Sequence, residues 1–169
     1  YDYIVQSEGK GKKGRPGYVY RDHKGYLTVG VGHLVLRNDP ILKRVAGKNY
    51  NAIISGRVPL NDSQMKQLFN YDVQSKIKLA KSKVKNFDNL PTAVQNAIVD
   101  GFFRGDLSGS PNTLELMNSG DFKAAAEEYL NNNEYRKSKK EKTGVAPRME
   151  RNAAAYRSYG TAPARHMFK

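Results

Sequence analysis

The sequence predicts an α+β chain that is mostly α-helical, with a small antiparallel β-sheet lobe placed before a helical lobe. β-Forming residues surround a turn between Tyr18 and Val31, and apolar residues recur at helical spacing along most of the chain after residue 60. Proline and capping residues mark the starts of the predicted helices. We expect a single domain made of a β-containing lobe, a connecting helix, a helical lobe and a tail, over 1–60, 61–84, 85–160 and 161–169 respectively.

Composition narrows the classes of function. The chain has 169 residues, of which 38% are hydrophobic and 27% charged, as is typical of a globular protein. No run of about 18 apolar residues occurs, so we expect no membrane insertion. Cysteine is absent, which excludes disulfides, thiolate catalysis and cysteine-based zinc sites. The net charge of +13 indicates an anionic partner, namely nucleic acid, anionic lipid or the bacterial envelope, although such a charge also aids solubility.

The N-terminal segment combines a helix end with a basic loop. Residues 1–8 resemble the last turns of a helix that Gly9 would end. Residues 9–17 are rich in glycine and basic side chains, but no Gly-Lys-Ser/Thr sequence closes them, so they are not a phosphate-binding P-loop. We expect a flexible connection that carries charge.

Two strands follow the basic loop. Tyr18–Tyr20 and Tyr26–Val29 are rich in β-formers, and the turn sequence Asp22–Gly25 lies between them, with a glycine available for positive φ. Gly30 and Gly32 then allow the backbone to turn again. The pattern predicts a small antiparallel sheet.

A long amphipathic helix is predicted over 62–84. Asn61 and Gln64 have the spacing of a capping box at its start. Lysines, among them Lys66 and Lys78, occupy the face opposite the apolar stripe. The stripe consists of Met65, Leu68, Phe69, Val73, Ile77, Ala80 and Val84.

The remaining helices are marked by their first residues. Pro91, Ser110-Pro111, Asp121 and Pro147 each lie at the predicted start of one helix. Asn131–Thr143 is polar and basic without an apolar stripe, so it is predicted to be a loop. The apolar positions expected to face inward are Val94, Ala97, Ile98, Phe102, Phe122, Ala125, Ala126, Tyr129, Leu130, Met149, Ala153 and Tyr156.

Two carboxylates are candidates for glycosidic-bond chemistry. Enzymes that cut glycosidic bonds usually use one protonated and one ionised carboxyl group. Glu8 ends an apolar helical turn and Asp22 occupies the predicted hairpin, 14 positions later on a different element. Because most acidic residues are solvated surface groups, this pattern alone is weak evidence.

The segment Asp22–His33 reads Asp-His-Lys-Gly-Tyr-Leu-Thr-Val-Gly-Val-Gly-His, and together with Glu8-Gly9 it resembles the signature of the phage-type lysozymes, the muramidases of glycoside hydrolase family 24. The resemblance covers nearly the whole chain to about Gly160. Residues 9–17 depart from it, because they are several residues longer than the family's usual link. Further similar segments are 68–73, 102–105, 122–126 and 147–148.

The resemblance implies a lysozyme-like two-lobed fold and a site without cofactor or metal. Glu8 matches the general acid, Asp22 the carboxylate that positions or activates water, and Thr28 the hydroxyl that helps to hold this water. The family inverts the anomeric carbon, which agrees with a general base at Asp22. The implied reaction is hydrolysis of the β-1,4 bond between N-acetylmuramic acid and N-acetylglucosamine. An ordinary strand threonine is the alternative for Thr28.

Other residues have implied supporting roles. Asp72 lies within the apolar stripe of the long helix, where a carboxylate needs a partner, and the resemblance pairs it with His33, so we predict a structural ion pair. Arg148 matches an arginine near the catalytic glutamate, with a surface arginine as the alternative. Leu34 and Phe102 match positions that line the family's cleft, but both could equally be plain core residues, which is the interpretation we favour.

The implied partner is peptidoglycan, and the basic surface would also hold anionic envelope polymers. We expect no specific nucleic-acid partner, and we expect a monomer. No signal peptide is visible, so we expect synthesis in the host cytoplasm and action on the wall in the periplasm, as an endolysin or a virion-associated enzyme. One alternative is a lytic transglycosylase, which needs no water-positioning aspartate; Asp22 and Thr28 favour hydrolysis. The other is a non-catalytic binder of envelope polymer or nucleic acid, although no nucleic-acid-binding motif occurs.

Overall fold

A computed structural model of the chain describes residues 17–22 and 24–162, which belong to two compact units, Tyr1–Ser75 and Lys76–Lys169. The described part of the chain is mostly helical and includes one small three-stranded antiparallel sheet, so the α+β prediction is confirmed at this level.

The sheet in the first unit is ordered β1-β2-β3. Tyr20 pairs with Thr28, and Thr28 pairs with Leu34 on its other side. Strands β1 and β2 form the expected hairpin, whereas β3 was not predicted as a strand. The strands are β1 (Tyr20–Arg21), β2 (Leu27–Val29) and β3 (His33–Leu34).

Two short helices complete the first unit. Helix α1 (Pro40–Ala46) begins after Asp39, whose carboxylate accepts hydrogen bonds from the Ile41 and Leu42 amides, and ends at Gly47 with φ of 55°. Helix α2 (Tyr50–Ile54) follows after one 3₁₀ turn. The sheet and these helices share a core of buried side chains, namely Val29, Leu42, Val45, Ala46, Ile53, Leu60, Met65 and Leu68.

Helix α3 (Asp62–Lys83) matches the predicted long helix within one residue, and the division between the two units falls inside it. Its capping box is confirmed: the Gln64 amide donates to Asn61 Oδ1 at 2.8 Å, and the Asn61 amide donates to Gln64 Oε1 at 3.0 Å. The predicted apolar stripe is buried or half-buried, and Lys66 and Lys78 are exposed. Local chemistry therefore sets both the start and the orientation of this helix.

The described residues of the second unit form helices joined by turns, with no β-strand among them. Helices α4 and α6 pack on α8, α5 packs on α6, and α7 packs on α8. The predicted inward positions are buried, except for Leu130, which is half-buried. The helices are α4 (Thr92–Arg104), α5 (Pro111–Asn118), α6 (Phe122–Leu130), α7 (Asn133–Glu141) and α8 (Val145–Thr161).

The loop expected over Asn131–Thr143 is wrong, because most of this segment is helix α7. The prediction rested on the missing apolar stripe, but the helix is held by polar groups instead. Its first turn is capped by Asn132, whose side-chain oxygen accepts a hydrogen bond from the Tyr135 amide at 2.7 Å. Lysine, arginine and glutamate also have high helix propensity, which favours the helix without apolar burial.

The last turn of α7 is fixed by one buried hydroxyl. Ser138 lies against the start of α8, where its Oγ accepts a hydrogen bond from the Ala146 amide at 2.8 Å. The same oxygen lies 2.6 Å from Thr143 Oγ1. These contacts join the end of α7 to the beginning of the next helix.

Among the helices in residues 17–22 and 24–162, none has both the length and the apolar character needed to cross a bilayer.

Candidate active site

Asp22 is held at the end of the β1–β2 hairpin by its own turn. The Gly25 amide donates to the Asp22 carbonyl at 2.9 Å, and Gly25 has φ of 83°, as a three-residue hairpin loop requires. Asp22 Oδ1 accepts hydrogen bonds from the backbone amides of Lys24, at 2.8 Å, and Tyr26, at 2.9 Å. These bonds fix the orientation of the carboxylate. Within the described residues, no hydrogen bond reaches its Oδ2.

Thr28 lies on the same face of the sheet as Asp22. The Asp22 amide donates to the Tyr26 carbonyl at 2.9 Å, which extends the β1–β2 ladder to these two residues. Side chains alternate between faces along a strand, so Asp22, Tyr26 and Thr28 share one face. Thr28 is 4% exposed, and its hydroxyl donates to the Tyr26 carbonyl at 3.2 Å. Among the residues that the structure describes, no hydrogen-bond donor reaches that hydroxyl oxygen.

This outer face of the sheet also presents apolar side chains to solvent. Leu34 pairs with Thr28, and Val35 donates to the Leu27 carbonyl, so Leu36 lies opposite Tyr26. Tyr26, Leu34 and Leu36 are 58%, 46% and 57% exposed. The surface role implied for Leu34 is therefore compatible with its position, whereas the core alternative is not. The exposure of Tyr26 and Leu36 was not anticipated from the sequence.

The opposite face of the sheet carries His33, which pairs with Val29 over the core. The predicted pair with Asp72 is present: His33 Nδ1 lies 2.9 Å from both carboxylate oxygens. A second carboxylate was missed, because His33 Nε2 lies 3.0 Å from Asp39 Oδ2. We call His33, Asp39 and Asp72 the His33 cluster.

The charges in the His33 cluster follow from its geometry. An ionised carboxylate only accepts hydrogen bonds, so both ring nitrogens of His33 must carry protons to bond on both sides. Burial disfavours the imidazolium, but hydrogen bonding and attraction to Asp72 and Asp39 outweigh it and raise the pKa of His33 above 6.5. Burial also opposes ionisation of Asp39. Hydrogen bonds from Leu42, Leu36 and His33 outweigh that effect and lower its pKa below 3.8.

Asp39 could have been found from its sequence context. An aspartate directly before Pro40 is typical of a helix N-cap, and Asp39 performs this role for α1. Its contact with His33 is tertiary and leaves no local signal. The cap at Asp39 was thus open to prediction and was not predicted, and its contact with His33 was not foreseen.

Arg148 belongs to a buried ion pair in the second unit, so the surface alternative is wrong. Its Nη2 donates to Asp100 Oδ1 at 2.7 Å, and its Nε donates to Asp100 Oδ2 at 2.9 Å. Asn152 also donates to Asp100 Oδ2, at 2.8 Å. Asp100 was missed, although it follows Ala97 by three residues in the apolar stripe of α4. The argument applied to Asp72 would have identified it as a buried carboxylate in need of a partner.

The polar network continues from Asn152 into the second unit. Asn152 donates to the Tyr129 hydroxyl at 3.3 Å, and that hydroxyl donates to Asp106 Oδ2 at 3.0 Å. Burial raises the pKa of Asp106, against the attraction of Arg104. Burial also raises the pKa of Tyr129, and the neighbouring Asp106 adds to this effect. The tyrosine therefore stays a neutral donor.

Of the remaining predicted site residues, Phe102 is buried and Glu8 is not described by the structure. Phe102 is 1% exposed and lies in the core of the second unit, so its side chain has almost no surface for a ligand to touch. Glu8 lies outside the described residues, as do residues 9–16 of the basic loop. Gly17 ends that loop with φ of 80°, where a Cβ would lie 2.1 Å from the Leu60 carbonyl oxygen.

Within residues 17–22 and 24–162, no group of three or more His, Cys, Asp or Glu side chains is arranged so that it could hold a metal ion. No model of a known protein family matches the chain.

Proposed function

We propose that the chain is a muramidase that hydrolyses the β-1,4 bond between N-acetylmuramic acid and N-acetylglucosamine in peptidoglycan. The observation that carries the proposal is the placement of Asp22 and Thr28 on one face of the hairpin. These residues belong to the segment that resembles the phage-type lysozymes. Glu8 is the proposed acid from the same resemblance.

The first chemical step joins protonation of the leaving group to attack by water. Glu8 donates a proton to the glycosidic oxygen, and Asp22 accepts a proton from the attacking water. Bond breaking gives two free sugar ends, and attack from the opposite face inverts the anomeric carbon. The two carboxyl groups of an inverting enzyme lie roughly 6.5–9.5 Å apart, which leaves room for that water.

The hairpin geometry suits Asp22 and Thr28 to hold one water molecule. The Asp22 Oδ1 bonds to the turn leave Oδ2 as the acceptor for one water proton. Because Thr28 donates its own proton to the Tyr26 carbonyl, its oxygen can accept the second water proton. The residues are diagonal neighbours across two strands, with a typical separation of roughly 7–8 Å, which accommodates a bridging water. A lone pair of the water oxygen then points away from both side chains, towards the sugar.

The exposed apolar side chains of the same face provide a surface for the substrate. Tyr26, Leu34 and Leu36 adjoin Asp22 and Thr28 across the sheet. Sugar rings and acetyl groups present apolar patches that pack on such side chains, while a few polar groups fix orientation. The proposed site of action is the cell wall in the periplasm, and the proposed active species is a monomer.

Single substitutions that preserve side-chain size test these roles. Glu8→Gln and Asp22→Asn are expected to reduce release of dye-labelled fragments from purified peptidoglycan at least a hundredfold, because each removes one proton-transfer group. Matched controls are Glu115→Gln and Asp62→Asn, which make the same changes at exposed positions. Equal activity of the site variants and their controls would contradict the proposal.

A further inference from the structure

Helix α7 carries the densest group of basic residues in the described chain. Five of the seven residues over 136–142 are lysine or arginine. The inner side of the helix is anchored through Ser138, which is buried, and through Tyr135, whose hydroxyl donates to Glu150 at 2.7 Å. The basic side chains are exposed. The helix therefore holds a set of charges at fixed spacing.

Three of these cations form a stripe on the outer side. With 3.6 residues per turn, Arg136, Lys137 and Lys140 fall within an arc of about 100°. Lys140 lies roughly 6 Å further along the helix axis than Arg136. We call Arg136, Lys137 and Lys140 the α7 stripe.

The charge of the stripe is poorly compensated. Lys139, which lies outside the stripe, forms an ion pair with Glu150, with 3.2 Å between Nζ and Oε1. Lys137 Nζ lies 4.0 Å from Glu141 Oε1, at the limit of an ion pair. Lys140 has no carboxylate within 4.0 Å among the residues that the structure describes. An anion that approaches the stripe therefore meets cations whose charge is largely unopposed.

Arg136 is oriented by neutral groups. Its Nη1 donates to the Asn131 side-chain oxygen at 3.0 Å, and its Nη2 donates to the Asn133 side-chain oxygen at 2.8 Å. Amide oxygens restrict the guanidinium without cancelling its charge. A fixed planar guanidinium binds phosphate more favourably than a flexible one, because less side-chain freedom is lost on binding.

We propose that the α7 stripe binds a phosphodiester polymer of the bacterial envelope, of the poly(glycerol phosphate) type. A repeating phosphate backbone complements cations that repeat along one side of a helix. The choice of an envelope polymer rests on the proposed function, whereas binding to the stripe requires no hydrolase activity.

Two other polyanions fit the stripe less well. Helices that insert into a lipid surface present large apolar side chains, and the exposed large apolar residues of the described chain all lie outside α7. Single-stranded nucleic acids stack their bases on aromatic rings, whereas the stripe consists of cations alone. The stripe therefore matches phosphate groups that need neither base stacking nor acyl insertion. Duplex nucleic acid shares this chemistry and is the competing ligand.

The test compares two double variants with the same net charge. Arg136→Gln/Lys140→Gln removes two stripe cations, and Lys83→Gln/Lys85→Gln removes two exposed lysines elsewhere in the second unit. Calorimetric titration with poly(glycerol phosphate) at several salt concentrations gives Kd and its salt dependence. By analogy with nucleic-acid binding, each lost phosphate contact reduces the slope of log K against log salt by about 0.7–0.9.

The stripe variant is expected to bind more weakly than the wild type at low salt, and the control to resemble the wild type. Over a fourfold rise in salt, the wild type should lose roughly tenfold more affinity than the stripe variant, as two contacts imply. Equal weakening in both variants would overturn the proposal in favour of diffuse charge attraction. Tighter binding of duplex DNA than of poly(glycerol phosphate), at equal phosphate concentration, would overturn the assigned ligand.

Discussion

Replacing His33 with asparagine removes the only cation of the His33 cluster while leaving one amide that can donate. Asp39 and Asp72 then face the vacated position, with side chains that are 2% and 22% exposed. Loss of one partner from a buried ion pair typically costs 3–5 kcal/mol, because a buried charge is left uncompensated. Asp72 keeps some solvent and Asp39 keeps its backbone donors. We therefore expect a loss near the lower end, about 3 kcal/mol.

The loss should depend on pH in a defined direction. The folded-state pKa of His33 is raised, so its stabilising contribution is complete below 6.5 and disappears as pH rises through the folded value. The pKa of Asp39 is lowered, so its contribution is present above 3.8 and disappears as pH falls through its folded value. The difference between wild type and His33→Asn is therefore largest in mildly acidic solution.

Urea unfolding near pH 5.5 and near pH 9 measures this difference. Lys48→Asn, at an exposed position of the first unit, is the control for removal of a positive charge. An NMR titration of wild-type His33 supplies the pKa directly. A destabilisation equal at both pH values, or a pKa at or below 6.5, would refute the charge assignment of the cluster.

Three further predictions concern the second unit and the outer sheet face. Asp100→Asn should lower the free energy of unfolding by about 3 kcal/mol, because Arg148 loses its buried counter-charge; an unchanged urea midpoint would contradict this. Ser138→Ala should cost about 2 kcal/mol and accelerate amide exchange in α7; unaltered protection would show that the hydroxyl is dispensable. Tyr26→Ser should raise KM for peptidoglycan with little change in kcat, whereas a large fall in kcat at constant KM would exclude a binding role.

Elements with local signals were predictable from the sequence. Asn61 and Gln64 satisfy each other's backbone groups, and the apolar stripe that follows fixes which side of α3 is buried. Gly25 similarly identifies the hairpin turn, because its φ of 83° is readily adopted by glycine. Such features depend on a few neighbouring residues, so sequence patterns report them well.

Elements held by polar contacts were harder to predict. Helix α7 lacks an apolar stripe, and its stability comes from the Asn132 cap and the buried Ser138 hydroxyl. Strand β3 has only two residues, too few to show alternation, and exists through its pairing with β2. The Asn132 cap is a local signal, but the contact of Ser138 with Ala146 and the pairing of β3 with β2 are made with other segments.

Some residues of the candidate site were predictable from the sequence, and others were found only in the structure. Asp22, Thr28 and Leu34 could be selected through a family resemblance, and the register of the sheet then shows that they share a face. Asp39 and Asp100 were overlooked although local patterns mark both, namely the cap position before Pro40 and the apolar stripe of α4. Only the identity of their partners leaves no signal in the local sequence. His33 and Arg148 were assigned supporting roles from the sequence. The structure adds Asp39 as a second carboxylate partner of His33, and Asp100 as the carboxylate that bonds to two nitrogens of Arg148.

The most direct test of the proposed function is the chemical identity of the sugar ends released from peptidoglycan. Purified wild type and Glu8→Gln are incubated with peptidoglycan in EDTA, and the fragments are analysed by mass spectrometry. We expect hydrated N-acetylmuramic acid ends from the wild type and almost none from the variant. Anhydro ends would contradict hydrolysis and indicate a transglycosylase, and the absence of fragments from the wild type would contradict enzymatic cleavage altogether.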